Sequence, residues 1–299
     1  MSTIDLSGCH LPIITPFKDD GSLDETGLRQ LVNYYIDEIG VNGIVPCGTT
    51  GESPTLTNKE HDRVIEITVE ETRHRVPVIA GTGSNSTREA IERTKHAEAA
   101  GADASLLISP YYNKPTQDGL LAHYEALAEA TRLPLLIYNI PGRTGRNVEP
   151  ATIIKLAKID NIIGVKDCSN DLAQTTAILR GTADIGAKFY VLSGDDSMTY
   201  TMMALGAHGV IAASAHLVGK EYVQMCRLMH ECRFAEARKI HYQTLDLVNT
   251  LFIESNPVPV KEALQMMGLP AGPPRLPLVP LREENREKLQ AMLIAAGKL

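Results

Sequence analysis

Residues 133–169, LPLLIYNIPGRTGRNVEPATIIKLAKIDNIIGVKDCS, hold two apolar runs, LPLLIY and NIIGVK, whose starts lie 28 residues apart. That spacing is the length of a strand, a turn, a helix and a turn. Both runs are continuously apolar rather than alternating, as strands covered on both faces should be. Working outward, similar runs recur as HLPIIT from His10, GIVPC from Gly43, VPVIA from Val76, ASLLIS from Ala104, KFYVLS from Lys188 and GVIAAS from Gly209. Successive starts of the eight runs are 33, 33, 28, 29, 28, 27 and 21 residues apart. Helical periodicity occupies the gaps, for example at 25–39, 58–73, 87–100 and 117–131. Eight such units, in a length that suits closure at about 250 residues, predict a (β/α)8 TIM barrel rather than an open sheet. The expected division is a barrel core over 1–219, with the last barrel helix and a C-terminal helical extension over 220–299. Helices are expected there at 220–252, 260–267 and 283–296, with a proline-rich break at 270–280.

Composition narrows the function classes. The 299 residues are 43% hydrophobic and 22% charged, which suits an ordinary globular protein and excludes disordered and disulfide-scaffold classes. A net charge of −7 without a basic run argues against a nucleic-acid partner. No stretch approaches the ~18 apolar residues of a membrane span, and no charged leader precedes an apolar run, so a cytoplasmic protein without a membrane partner is expected. The five cysteines, Cys9, Cys47, Cys168, Cys226 and Cys232, are odd in number and lack CxxC spacing, so no disulfide framework or zinc ribbon is indicated. With no HExxH pair and no Walker-type loop, no metal site is expected. In GTGSNS from Gly81, Ser86 stands where a dinucleotide fingerprint needs its third glycine, which argues against a nicotinamide site. No cofactor is expected.

Barrel active sites lie where strands run out into βα loops, so strand ends are the residues to inspect. Lys166 ends NIIGVK, and period-two alternation puts it on the same side as Gly164, which would leave room beneath the amine if that side is the interior. Burial there would favour the neutral amine, a Schiff-base nucleophile toward a carbonyl. Tyr138 ends the neighbouring run, where a phenol could pass a proton to or from a carbinolamine. GTTGE from Gly48 is a turn whose N–H groups and hydroxyls could hold a carboxylate, and NIPGRTG presents Arg143, whose planar fork suits another. Taken singly, each has a plainer reading: a rim lysine, a hydrogen-bonded barrel phenol, a tight turn, a solvated arginine. Together they suit imine chemistry joining two acidic carbonyl substrates.

GTTGE at Gly48, YNIPGRTG at Tyr138 and GVKDCS at Gly164, in this order and spacing, resemble the dihydrodipicolinate synthase and N-acetylneuraminate lyase family of class I pyruvate aldolases. The resemblance runs from about His10 through NPVPVK at 256–261. GTTGE with Gly142, Arg143 and Thr144 is similar to the synthase branch; the sialic acid lyases tend to carry GSTGE and lack GRT. One departure is Asp167 and Cys168 where many synthases have Glu and Ala, which conserves acidity and small size.

The resemblance implies condensation of pyruvate with L-aspartate 4-semialdehyde to 4-hydroxy-tetrahydrodipicolinate, in lysine and diaminopimelate biosynthesis. It implies Lys166 as Schiff-base lysine, with Tyr138, Thr50 and Tyr112 as a hydroxyl relay. Thr49 and Thr50 would meet the pyruvate carboxylate, Arg143 the semialdehyde carboxylate, and Gly194 and Ile211 would line the pyruvate pocket. It further implies a homo-oligomer, a tetramer built as a pair of tight dimers, with Tyr112 crossing the dimer interface. L-lysine is the implied inhibitor, held by His61, Asn85, Glu89 and Tyr111; Asn58 stands where some lysine-sensitive enzymes carry a histidine. The alternatives are a 2-keto-3-deoxy sugar acid aldolase, an N-acetylneuraminate lyase-like aldolase, or a pyruvate-binding regulator without catalysis.

Overall fold

Each apolar run contributes a strand in the computed structural model, which describes residues 4–299. In chain order they are β1 (Gly8–Leu11), β2 (Gly43–Ile44), β3 (Ile79–Gly81), β4 (Ala104–Ile108), β5 (Leu135–Asn139), β6 (Ile162–Asp167), β7 (Tyr190–Ser193) and β8 (Gly209–Ile211). The ladder runs β2-β1-β8-β7-β6-β5-β4-β3, all pairs parallel, and an isolated parallel bridge from Ile44 to Val78 brings the two ends together into a barrel. The expected (β/α)8 architecture is the one observed.

The helices between strands are α1 (Glu25–Asn33), α2 (Asn58–Thr72), α3 (Thr87–Ala100), α4 (Gln117–Ala130), the single turn α5 (Pro141–Thr144), α6 (Pro150–Leu156), α7 (Leu172–Asp184) and α8 (Thr199–Ala204). Their starts are set by side chains that accept the otherwise orphaned first N–H groups. Thr57 and Glu60 form a reciprocal capping box on α2, and Ser86, Thr116 and Asp171 hold α3, α4 and α7. The helix expected over 25–39 ends as α1 and widens into a π-helical turn over Tyr34–Ile39, which Gly40 terminates in the left-handed region at φ 78°. Within that turn the buried Tyr35 donates its hydroxyl to the His216 carbonyl at 3.2 Å.

After β8 come α9 (Ala215–His230), α10 (Phe234–Thr250), α11 (Val258–Met266) and α12 (Glu283–Ala295). Helix α9 starts before residue 220 and runs across that expected boundary. Helix α10 packs along α9, and α11 bridges α9 and α12. The proline-rich segment that follows α11 returns to the barrel: Phe17 N–H donates to the Ala271 carbonyl at 3.1 Å and Arg275 N–H to the Glu52 carboxylate at 2.9 Å. Among the described residues, no helix is long and apolar enough to cross a membrane.

Alternation along the strands divides the apolar side chains into two cores. Val45, Ile79, Ala104, Leu106, Leu136, Tyr138, Leu192 and Ile211 fill the barrel interior over a plug formed by Leu6. Their neighbours Leu135, Ile137, Val165, Val191 and Val210 face outward to the helical belt, with Leu120, Tyr124 and Leu127 of α4 among the helix residues there. Because Tyr138 points inward and pairs in register with Lys166, the lysine is delivered to the interior at the end of its strand.

Candidate active site

Lys166 is 6% exposed, and its amine lies 4.3 Å from the centre of the Tyr138 ring. Burial lowers its pKa, and the nearby Arg143 guanidinium pushes the same way, while Cys168 and Asp196 oppose them. The shift is toward the neutral amine that a nucleophile requires. The room for this side chain comes from β7 rather than from its own strand. A Cβ at Gly194 would stand 2.8 Å from Lys166 Cε and 2.2 Å from Cys168 Sγ. A Cβ at Gly164 would instead meet the Tyr190 carbonyl oxygen at 2.6 Å. The space expected from Gly164 is thus closed by the backbone and Cβ of Tyr190 on the paired strand, and Gly194 is the residue that makes way for the lysine.

The GTTGE turn arches over the same space. Gly51 N–H donates to the Gly48 carbonyl and Glu52 N–H to that of Thr49, both at 3.1 Å, while the Thr15 hydroxyl donates to the Gly51 carbonyl at 2.6 Å. These bonds use the last two N–H groups of the turn, so the carboxylate-holding donors narrow to Gly48, Thr49 and Thr50, of which the two threonines also carry hydroxyls. The Asn256 amide donates to Thr50 Oγ at 2.9 Å, which leaves the Thr50 hydroxyl proton for the cavity side. Burial raises the Tyr138 phenol well above its usual range and the Thr49 hydroxyl partly offsets this, so the ring enters the site as a neutral O–H.

Arg143 stands on the helical turn α5, whose first bonds run from the Arg143 and Thr144 N–H groups back to the Ile140 carbonyl at 3.0 Å. It borders both the inner cavity, about 60 Å³, and a wider mouth of about 370 Å³. The inner cavity gathers Thr49, Thr50, Tyr138, Arg143, Lys166, Gly194 and Ile211. Seven residues singled out from the sequence therefore share one pocket. Tyr112 does not: at φ 71° on the loop after β4, it is 90% exposed.

Sequence reasoning passed over four residues in or beside this pocket. Asp196 is buried at its wall, accepts the Ser214 N–H at 2.6 Å, and has its pKa raised by burial to about 6. It lies two residues beyond Gly194 in SGDD, so a strand-end survey carried slightly further would have reached it. Cys168, its pKa raised by burial to about 12, is wedged against Gly194. Asn256 and Phe252 come from the connection between α10 and α11, far along the chain from any barrel strand, and no local periodicity announces them.

The four residues assigned to lysine gather around the β3–α3 loop. Asn85 donates its amide to the Tyr111 carbonyl at 3.2 Å. Glu89 accepts from the Ser84 hydroxyl and pairs with Arg93 at 2.9 Å, and Arg93 also reaches Asn58. His61 is buried rather than on the surface, with Nε2 at 2.9 Å from the Gly81 carbonyl; its Nδ1 has no hydrogen-bond partner among the described residues.

Residues 5–296 match the family described as the dihydrodipicolinate synthetase family. The chain is 51% identical over 290 residues to 4-hydroxy-tetrahydrodipicolinate synthase of Geotalea uraniireducens, covering 97% of this chain and 98% of that one. It is similar to the crystal structure of the chloride-inhibited dihydrodipicolinate synthase from Acinetobacter baumannii complexed with pyruvate: TM-score 0.95, 45% identity, 99% and 100% of the two chains. It is similar also to the structure of DHDPS from Cyanidioschyzon merolae with lysine bound, at TM-score 0.95, 39% identity, and 99% and 100% coverage.

Proposed function

The chain belongs to the dihydrodipicolinate synthetase family, and from that premise we propose that it condenses pyruvate with L-aspartate 4-semialdehyde through an imine on Lys166, giving 4-hydroxy-tetrahydrodipicolinate for lysine and diaminopimelate biosynthesis. The observation that carries this reading is the buried Lys166 amine, set over the Tyr138 ring in a cavity roofed by Thr49 and Thr50 and bordered by Arg143. The neutral amine attacks the pyruvate keto carbon, and the carbinolamine loses its hydroxyl as water, with Tyr138 and Thr50 relaying the proton. Loss of a methyl proton turns the imine into an enamine, whose terminal carbon adds to the aldehyde; the new alkoxide takes a proton back from the relay. The substrate's own amine then displaces Lys166 from the imine carbon and closes the ring, freeing the enzyme. Thr49 and Thr50 hold the pyruvate carboxylate throughout, against a wall that includes Gly194 and Ile211. Arg143, at the mouth, suits the carboxylate of the incoming aldehyde.

A coupled assay supplying both substrates and the downstream reductase tests the reaction itself. In that assay Arg143→Ala is expected to lower kcat/KM for the semialdehyde by about 10- to 100-fold, the loss of a charge-assisted carboxylate contact. Borohydride trapping of pyruvate should change far less. Equal loss in both measurements would assign Arg143 a structural role, and a better rate with a sugar-derived aldehyde would replace the synthase reading.

The active form proposed is a homo-oligomer, a tetramer made of two tight dimers, in which each subunit's Tyr112 enters its neighbour's hydroxyl relay. With its ring 90% exposed on the loop after β4, Tyr112 is available to a second subunit, which supports this reading. L-lysine, bound among His61, Asn85, Glu89 and Tyr111, is the proposed inhibitor. The Glu89 carboxylate suits one of its ammonium groups, although Arg93 already shares that carboxylate. Because Tyr111 adjoins Tyr112, occupancy should disturb the relay without blocking pyruvate, giving partial or mixed inhibition. Titration at millimolar lysine should show it, and Glu89→Ala should abolish it. A fully active monomer in equilibrium sedimentation, or lysine inhibition unchanged in the variant, would exclude the respective part.

A further inference from the structure

The carboxylate-holding turn is tied to the C-terminal extension through a buried ion pair that takes no part in the chemistry above. Glu52, the last residue of GTTGE, and Lys261 of α11 have side chains each 1% exposed, and Lys261 Nζ donates to Glu52 Oε1 at 2.7 Å. The other carboxylate oxygen accepts the Arg275 N–H at 2.9 Å, and Lys261 donates also to the Pro273 carbonyl at 3.0 Å. The Phe17 ring lies 4.3 Å from the Lys261 amine and 4.0 Å from the Arg275 guanidinium. Glu52 holds φ at 53°, in the left-handed region that residues with a side chain seldom adopt. A second tie from the same extension, Asn256 to Thr50, reaches the turn two residues earlier.

Burying two opposite charges generally stabilises a fold no better than well-packed apolar side chains of the same volume. What such a pair supplies is direction, because bonds to both carboxylate oxygens fix where Glu52 sits. Its backbone is covalently two residues from Thr50, so fixing it fixes the donors aimed at the pyruvate carboxylate. We propose that Glu52 and Lys261 are positioning residues: their buried pair lets the C-terminal extension set the geometry of the Thr49–Thr50 anion-holding turn. The extension is then a working part of the site, although neither residue touches substrate. This rests on the imine reading of Lys166.

The test compares Lys261→Met, Lys261→Arg and the double variant Glu52→Met/Lys261→Met with the natural chain. Its readouts are thermal midpoint, KM for pyruvate, KM for the aldehyde, and the rate of borohydride trapping against pyruvate concentration. Lys261→Met strands a buried carboxylate and should lower the midpoint, which the double variant should recover. The KM for pyruvate should nevertheless stay raised in both, on the order of 10- to 100-fold, as expected of donors displaced by a fraction of an ångström to about 1 Å. Saturating pyruvate should restore most of the turnover, the aldehyde KM should change little, and Lys261→Arg should recover part of the pyruvate affinity. A double variant with natural stability and natural pyruvate KM would overturn the proposal, as would failure of both Met variants to fold, which would make the pair a folding requirement. If the natural chain forms no adduct at Lys166, the functional reading itself fails.

Discussion

Lys166→Ala is expected to abolish the borohydride-trapped pyruvyl adduct and to lower turnover by about 10⁴- to 10⁶-fold, the range expected on losing a covalent nucleophile. The loss should be chemical rather than structural. In the folded site burial lowers the pKa of this lysine below that of the unfolded chain, which shifts it toward the neutral amine. The unfolded chain therefore binds more protons at this group between the folded pKa and about 10.4, and across that window its contribution becomes less unfavourable as pH rises. Alanine removes that unfavourable contribution, which offsets part of what the vacated space costs, so the thermal midpoint near neutrality should fall little. The same lowered pKa sets the sign of the activity profile: imine formation should slow as pH drops through the folded pKa and the amine gains its proton. Mass spectrometry of the reduced adduct, with peptide mapping, checks the residue. An adduct on another lysine, or retained turnover in the alanine variant, would refute the assignment.

Tyr138→Phe should slow turnover by about 10²- to 10⁴-fold, the usual worth of a positioned proton donor or acceptor. The phenyl ring preserves the surface over which the Lys166 amine lies at 4.3 Å, so the variant removes the hydroxyl and little else. Both the trapping rate and the condensation rate should fall, because carbinolamine dehydration and alkoxide protonation use the same O–H. Burial holds this phenol above its usual range, so its ionisation should add no alkaline limb to the pH–rate profile below about pH 10. Trapping and turnover within tenfold of the natural chain would show that the hydroxyl carries no proton.

How far the site could be read from the chain differs from residue to residue. Lys166 and Tyr138 were legible because each closes a continuous apolar run, and a strand end in a barrel is where function sits. Their pairing opposite one another is set by the register of the β5–β6 ladder, which neither strand encodes alone. Arg143 and the paired threonines were legible as turns of distinctive composition. The source of space around the lysine was not, since alternation relates Lys166 only to Gly164 on its own strand, whereas steric room depends on β7. Asp196, Asn256 and the Glu52–Lys261 pair escaped for a related reason. Their partners lie 18, 206 and 209 positions away, and no local pattern encodes such a contact.

By itself the sequence determined the barrel, because the length of each strand–helix unit and the burial of each strand are local properties repeated eight times. It determined as well which residue types stand at the strand ends. Only the tertiary structure decided which of them meet, that Gly194 and not Gly164 makes room for the nucleophile, and that α11 and the segment after it hold the anion-binding turn. The physical reason is that periodicity reports the direction of a side chain relative to its own backbone, while a pocket is defined by distances between backbones that only closure and packing set.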